Sequence, residues 1–293
     1  MSVIDLDSVR RRAGASLFAR VAGPEGPSHR ARIHEAEGPR WFADDRPIRE
    51  VHADASMFVG GLRALLLQSL HPLAMAGVAG HSDYRGDPWG RLQRTSYFLA
   101  VTTFGRADDA ARAVARVRGV HRRVTGTAPD GRAYAASDPH LLEWVHVAEA
   151  DSFLVAHRRF GRHPLDRAGR DGYVADLAEV GRRLGVLDPP TSEAALRDRL
   201  EAFRPELRHT REAGEAARFL LLRPPLPFAV RPAYAVLAAA AVSLLPGWAR
   251  LKLRLPYLPV TEAALVQPAG DLLVRAVRWA MTPPAPVSAP RTA

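Results

Sequence analysis

Twice in this chain an aspartate is followed by a proline and then by apolar residues at helical spacing, at Asp87-Pro88 and Asp138-Pro139. Aspartate accepts the free N–H groups of a first helical turn, and proline fits the first helical position, where no N–H is needed. The pair therefore marks where a helix opens. The spacing predicts helices over 88–105 and 141–160, and Asp108-Asp109 opens another through Ala113, Val114, Val117 and His121 that ends near Gly126. Upstream, 54–70 reads as the first long helix, with Pro72 just past its end. Further helices are expected at 171–184, 192–203, 206–221, 233–245 and 268–281. No alternating run is long enough to specify a sheet, and 127–137, with Pro129-Asp130-Gly131, reads as a turn-rich connection. The expected class is all-α, a single multi-helix globular bundle. Residues 1–40, rich in Gly, Pro and Arg, are expected to form a short helix and an irregular arm. Residues 41–281 form the helical domain, and the proline-rich 282–293 is a disordered tail. No internal repeat is visible.

A chain of 293 residues that is 47% hydrophobic can bury a sizeable core. Its net charge is 41 − 31 = +10, yet Lys252 is the only lysine, and the arginines are scattered rather than blocked. With abundant Ala, Gly and Pro this is the signature of a GC-rich genome, and no basic motif for nucleic acid is present. No nucleic-acid partner is expected. The chain has no cysteine, which excludes disulfides, thiolate metal sites, iron–sulfur clusters and cysteine nucleophiles. A metal must be held by His, Asp, Glu or Tyr, or arrive in a porphyrin. Acidic residues precede the arginines of the N-terminus, unlike a signal peptide, and the apolar run 234–245 falls short of the ~20 residues that span a bilayer. A buried core helix without stable membrane insertion, in a cytoplasmic protein, is expected.

The densest chemistry lies in 71–95, HPLAMAGVAGHSDYRGDPWGRLQRT, led in by the apolar run Gly60-Gly61-Leu-Arg63-Ala-Leu-Leu-Leu-Gln68. Polar residues set between core-forming segments need partners or a task. His71 and His81 flank an Ala-Gly-Val-Ala-Gly turn and, with Asp83, are candidates for proton transfer; each histidine reads equally as a cap or turn residue. Arg91 and Thr95 share a helix face with Phe98, and Arg94 lies between them. Arginines beside an apolar surface can neutralise a buried anion, or can simply face water. Arg118 carries the same two readings. His121 projects from the stripe of Val114, Val117 and Val124, either as a core histidine or as the neutral imidazole that a haem iron takes as proximal ligand. His146 lies on a second apolar stripe.

Glu143-Trp-Val-His146 and Glu206-Leu-Arg-His209 are two Glu-x-x-His pairs, the repeat of a di-iron carboxylate bundle, for which Glu179 is a further donor. A different constellation is more specific. GGxRALLLQxLHP, HSDYRxDPWGRLxRT, TTFG, VRxVH and DPHLLxWVH, in this order over 60–160, resemble the bacterial branch of the MpaB/rubber-oxygenase catalytic domain family, also catalogued as a domain of unknown function. The resemblance implies an all-helical haem b oxygenase acting on apolar, isoprenoid-like molecules. It makes His121, in Arg118-Gly-Val-His121, the metal ligand and cofactor-binding residue, and it places Arg91, Arg94, Thr95 and Arg118 around the haem. Where rubber-cleaving members have a distal lysine this chain has Arg94, whose guanidinium is a poor ligand. Their catalytic glutamate has no counterpart, since no Glu occurs between Glu50 and Glu143. His81, Asp83 or His71 would then move protons, and cleavage of rubber itself is not implied. The implied partners are a small apolar substrate, O2 or peroxide, and an electron donor. The alternatives are a non-haem di-iron oxygenase and a non-catalytic helical protein that binds a lipid or metabolite.

Overall fold

The computed structural model describes residues 5–82 and 86–282. Asp83 and the tail beyond 282 lie outside the described residues. Helices dominate: α1 Leu6–Ala22, α2 Gly26–His34, α3 Pro47–Ala53, α4 Met57–Gln68, α5 Pro72–His81, α6 Pro88–Phe104, α7 Ala107–His121, α8 Pro139–Phe160, α9 Arg167–Leu184, α10 Glu193–Phe203, α11 Arg211–Leu222, α12 Arg231–Ser243, α13 Gly247–Leu253, α14 Pro259–Thr261 and α15 Gln267–Met281. The single turn α14 runs through a π-helical segment, Glu262–Val266, into α15. The all-α reading holds. The predicted caps are in place, with Asp87 accepting from the Gly90 N–H at 2.8 Å and Asp138 from the His140 N–H at 2.9 Å.

Three local readings need correction. The Ala-Gly-Val-Ala-Gly stretch is not a turn but the body of α5, since the side chain of His71 caps it and Pro72 fits its first position. The connection after α7 contains a small hairpin, in which β1 Thr125–Thr127 pairs antiparallel with β2 Ala133–Ala135. These strands are three residues long, too short to carry a period-two signal. The N-terminal arm holds two helices, α1 and α2, rather than one.

The spine is the pair α4–α8. Gly60 lets the two backbones approach: a Cβ there would stand 2.7 Å from Phe153 Cδ1 and 3.1 Å from both Phe153 Cα and the Ser152 carbonyl oxygen. Arg63, 2% exposed, fixes the same contact. Its Nη2 pairs with Asp151 at 2.7 Å, Nη1 donates to Ser152 Oγ at 2.6 Å, and Nε donates to the Leu244 carbonyl at 2.9 Å, beyond the end of α12. The one charge in that apolar run thus ties three segments together, and its burial is compensated by an acid and two oxygens. Trp144 of α8 is fully buried and its indole N–H donates to the Gln68 carbonyl at 3.2 Å.

Around this spine the main core gathers Leu66, Leu67, Trp144, Phe153, Tyr173, Leu196 and Phe203 from α4, α8, α9 and α10, with Leu70 from the link after α4. A second core joins Val59, Leu62 and Phe160 to Ala238, Ala240 and Ala241 of α12 and Val274 of α15. The apolar helix α12 is therefore packed by its alanine face. Among the described residues no single helix is long and apolar enough to cross a membrane. Two sharply bent pairs, α4 with α5 at 107° and the segment leading through α12 to α13 at 120°, reach that composition together, by length and composition only.

Helices α6 and α7 form an antiparallel hairpin across the short link Gly105-Arg106, and this hairpin rests on α3, through α6, and on α9, through α7. Phe98 and Leu99 of α6 touch the main core yet remain partly exposed.

Candidate functional site

The helical hairpin decides which motif residues meet. His121 is fifteen residues past Arg106, and Arg91 is fourteen before Gly105, so at a rise of about 1.5 Å per residue both lie roughly 20 Å from the turn. Arg91, Arg94 and Thr95 therefore stand at the same end of the hairpin as Arg118 and His121. The end of α5 reaches this place too. His81 Nε2 donates to the Thr125 carbonyl at 3.2 Å, and Arg91 donates to Ser82 Oγ in a short contact. One end of the molecule thus collects His81, Arg91, Arg94, Thr95, Arg118 and His121.

Within that set His121 stands apart. It sits in the last position of α7 and is half-buried; Nδ1 is enclosed without a hydrogen-bond partner, and among the described residues the ring has none. Burial alone holds its pKa below the ordinary histidine value, so the ring is neutral near pH 7. A neutral imidazole with unused lone pair and N–H, on an apolar stripe, is the donor that a haem iron needs. His121 thus has the donor chemistry that such a group would take. The arginines are engaged differently. Arg94 is 66% exposed and pairs with Asp87 at 3.2 Å, Thr95 is exposed, and Arg118 donates to the Arg183 carbonyl at 3.4 Å. They form a rim rather than a lining.

His71 belongs elsewhere. Helix α5 is ten residues long, about 15 Å, and His71 stands at its opposite end from His81. There it is 1% exposed, and Nε2 lies 3.3 Å from Glu206 Oε2. His140 Nε2 lies 2.9 Å from both oxygens of the same carboxylate. The donor atoms of His71, His140 and Glu206 all fall within 4.8 Å of one another, the spacing of a two-histidine, one-carboxylate metal site. The Ala74 N–H points at His71 Nδ1 from 3.4 Å, so Nε2 carries the ring proton and donates to Glu206. Burial lowers the His71 pKa, partly offset by Glu206; burial would raise Glu206, but its bonds from His140 and His71 outweigh that and hold it below the usual carboxylate range.

The two Glu-x-x-His pairs do not converge into a di-iron centre. Glu143 pairs with Arg199, Glu179 with Arg183 at 2.6 Å, and Glu206 with the two histidines just described. Among the described residues the trio around Glu206 is the only cluster of three donors within metal-holding reach.

A second interior group escaped the sequence reading. Glu149 lies on α8 one turn past His146; dense protein surrounds it, solvent still reaches part of it, and its carboxylate has no ion pair or hydrogen bond among the described residues. Burial pushes its pKa up to about 7. Its charge is felt by Tyr173, whose hydroxyl lies 3.5 Å from His52 Nε2, and His52 Nδ1 in turn lies 2.8 Å from the Thr103 hydroxyl of α6. His52 is pushed down to about 3 and His146 to about 4, both chiefly by burial. The signal for Glu149 was present: an acid three residues after a histidine on an apolar helical stripe, where an unpaired charge is costly.

A family model described as "ER-bound oxygenase mpaB/B'/Rubber oxygenase, catalytic domain" matches residues 49–279. An uncharacterized protein of Mycobacterium bovis and one of Mycobacterium tuberculosis are each 34% identical over 99 residues, which is 34% of this chain and 38% of theirs. The match thus spans well under half the length of these relatives. No solved structure matches the chain. The family match covers most of the chain, from the start of α3 almost to the end of α15, and the chain belongs to the mpaB/rubber oxygenase catalytic domain family.

Proposed function

We propose that this protein is a haem b-dependent oxygenase acting on a small apolar molecule, with His121 as the proximal ligand of the iron. The observation that carries the reading is the neutral, unpartnered imidazole of His121 at the end of the α6–α7 hairpin. When bound, the haem supplies the activation of O2 or peroxide, with electrons from a donor. The chain supplies the rest. His121 would hold the group, while Arg91, Arg94, Arg118 and Thr95 at the rim would meet its carboxylates. Phe98 and Leu99, partly exposed beside the core, offer an apolar wall to the substrate. His81 stands at the mouth, where an exposed imidazole exchanges protons with water. Glu149, largely enclosed and with its pKa raised to about 7, is a group able to take or give a proton near neutral pH. Asp83, two positions after His81 in the sequence, is kept as a further proton-transfer candidate. We place this activity in the cytoplasm.

A second reading rests on one observation, the trio His71, His140 and Glu206. Two histidines and one carboxylate hold non-haem iron in another class of oxygenase. A metal there must displace the Nε2 proton of His71 against the Ala74 N–H, which disfavours this reading. The absorption spectrum of protein expressed with haem precursor separates the readings. A Soret band is expected. Bound iron without a Soret band would replace the proposal with the non-haem reading, and neither would leave a helical lipid- or metabolite-binding protein.

A further inference from the structure

The junction of α8 and α15 forms a polar cleft of about 370 Å³ lined by Arg159, Arg162, Asp271, Arg275 and Arg278, with Phe160 and Gly161. Four guanidinium groups face one acid there, and their pairing is uneven. Arg159 grips Asp271 with two bonds of 2.9 Å, and Arg278 grips the buried Asp54 with two of 3.0 Å while donating to the Phe160 carbonyl. Those two arginines are structural: their forks are filled by carboxylates. Arg162 and Arg275 are exposed, and among the described residues their guanidinium groups have no ion pair or hydrogen bond. Two unpaired cations therefore share a cleft whose other cations are already fixed in place, which leaves it a local excess of positive charge that attracts an anion.

We propose that this cleft is a phosphate-binding site, with Arg162 and Arg275 as the groups that meet the anion and Arg159 and Arg278 as the fixed wall behind them. Guanidinium forks match tetrahedral phosphate oxygens by paired, charge-assisted bonds, which favours phosphate over a halide. The phosphate comes either from a soluble compound or from a phospholipid headgroup. The second source has a physical basis in Leu272, 72% exposed on α15 beside the cleft residues Asp271 and Arg275.

The test uses the full chain and two probes. Inorganic pyrophosphate is titrated by calorimetry at constant ionic strength, and vesicles of phosphatidylcholine with and without phosphatidic acid are used in a sedimentation assay. The double variant Arg162→Gln/Arg275→Gln removes only unpartnered exposed side chains, so its helix content and melting temperature stay those of the wild type. Saturable one-to-one binding of pyrophosphate, weakened at least about tenfold in the double variant, supports a soluble source. Sedimentation only with phosphatidic acid vesicles, lost in the double variant, supports a headgroup source. Failure of both probes to bind, or equal binding by the double variant, overturns the proposal.

Discussion

Replacing Glu149 with Gln tests whether the interior acid is as unpaired as its surroundings imply. The unfolded chain titrates this carboxyl near 4.5, and the folded chain near about 7. Between those values the folded state holds a proton that the unfolded state has lost. Stability from this group is therefore complete below the unfolded pKa, falls as pH rises through the folded pKa, and stays low above it. A difference of about 2.5 units at about 1.4 kcal/mol each gives roughly 3.5 kcal/mol, and the partial exposure of the side chain screens some of it, leaving about 2–3 kcal/mol. His52 and His146, pushed down to about 3 and about 4, give the opposite slope, because their neutral folded forms lose stability as pH falls below the unfolded histidine pKa. The wild-type profile alone mixes the two. The difference between wild type and Glu149→Gln isolates the glutamate. Urea denaturation of both proteins from pH 4 to pH 8.5 should give nearly equal stabilities at the acid end and a Gln variant about 2–3 kcal/mol more stable at the alkaline end. Parallel curves across the range would refute the reasoning, since they mean that Glu149 titrates in the fold as it does in the open chain.

The two adjacent glycines of α4 should respond with opposite signs. Gly60→Ala drives a methyl into Phe153 and the Ser152 carbonyl and is expected to destabilise by about 1–3 kcal/mol, whereas at Gly61 the nearest atom stands 3.9 Å away and Ala should stabilise by about 0.5–1 kcal/mol, both read as denaturation midpoints. Equal signs would contradict the close approach of α4 to α8. Arg63→Met strands Asp151 and should cost about 3–5 kcal/mol, with Arg63→Met/Asp151→Leu recovering much of the loss; a single variant as stable as wild type would remove Arg63 from the spine. His81→Ala, at an exposed position, should leave melting temperature and haem content unchanged while lowering turnover of an apolar substrate, and undiminished turnover would take His81 out of the reaction.

Helix starts were legible in the sequence because capping is local. Asp87, Asp138 and Ser192 each accept an N–H within three residues, so the signal and the structure share one short segment. Helix α5 was missed because its Ala-Gly-Val-Ala-Gly body has no polar face; it is held by the His71 cap and by packing of Met75 and Ala76, which are tertiary facts. The hairpin after α7 was missed for its shortness. At the site, His121 stood out from the apolar period of its own helix. The separation of His71 from His81 could not be seen, because it follows from reading ten residues as a rigid helix instead of a turn. The bond from His71 to Glu206 spans 135 positions in the chain, and local pattern carries no trace of such a contact. Glu149 was overlooked for a different reason: acids on helices usually face water, so an acid three residues after a histidine on an apolar stripe is easily read as part of the solvated face.

The central claim is that His121 holds a haem iron, and a haem titration of wild type beside His121→Gly measures it most directly. The wild type should bind one haem with a Soret band characteristic of imidazole ligation. The glycine variant, with helix content preserved, should lose that band and regain it when free imidazole is added, because the cavity left by the side chain admits the same donor. A His121→Gly protein that binds haem with an unchanged spectrum and no response to imidazole would contradict the account.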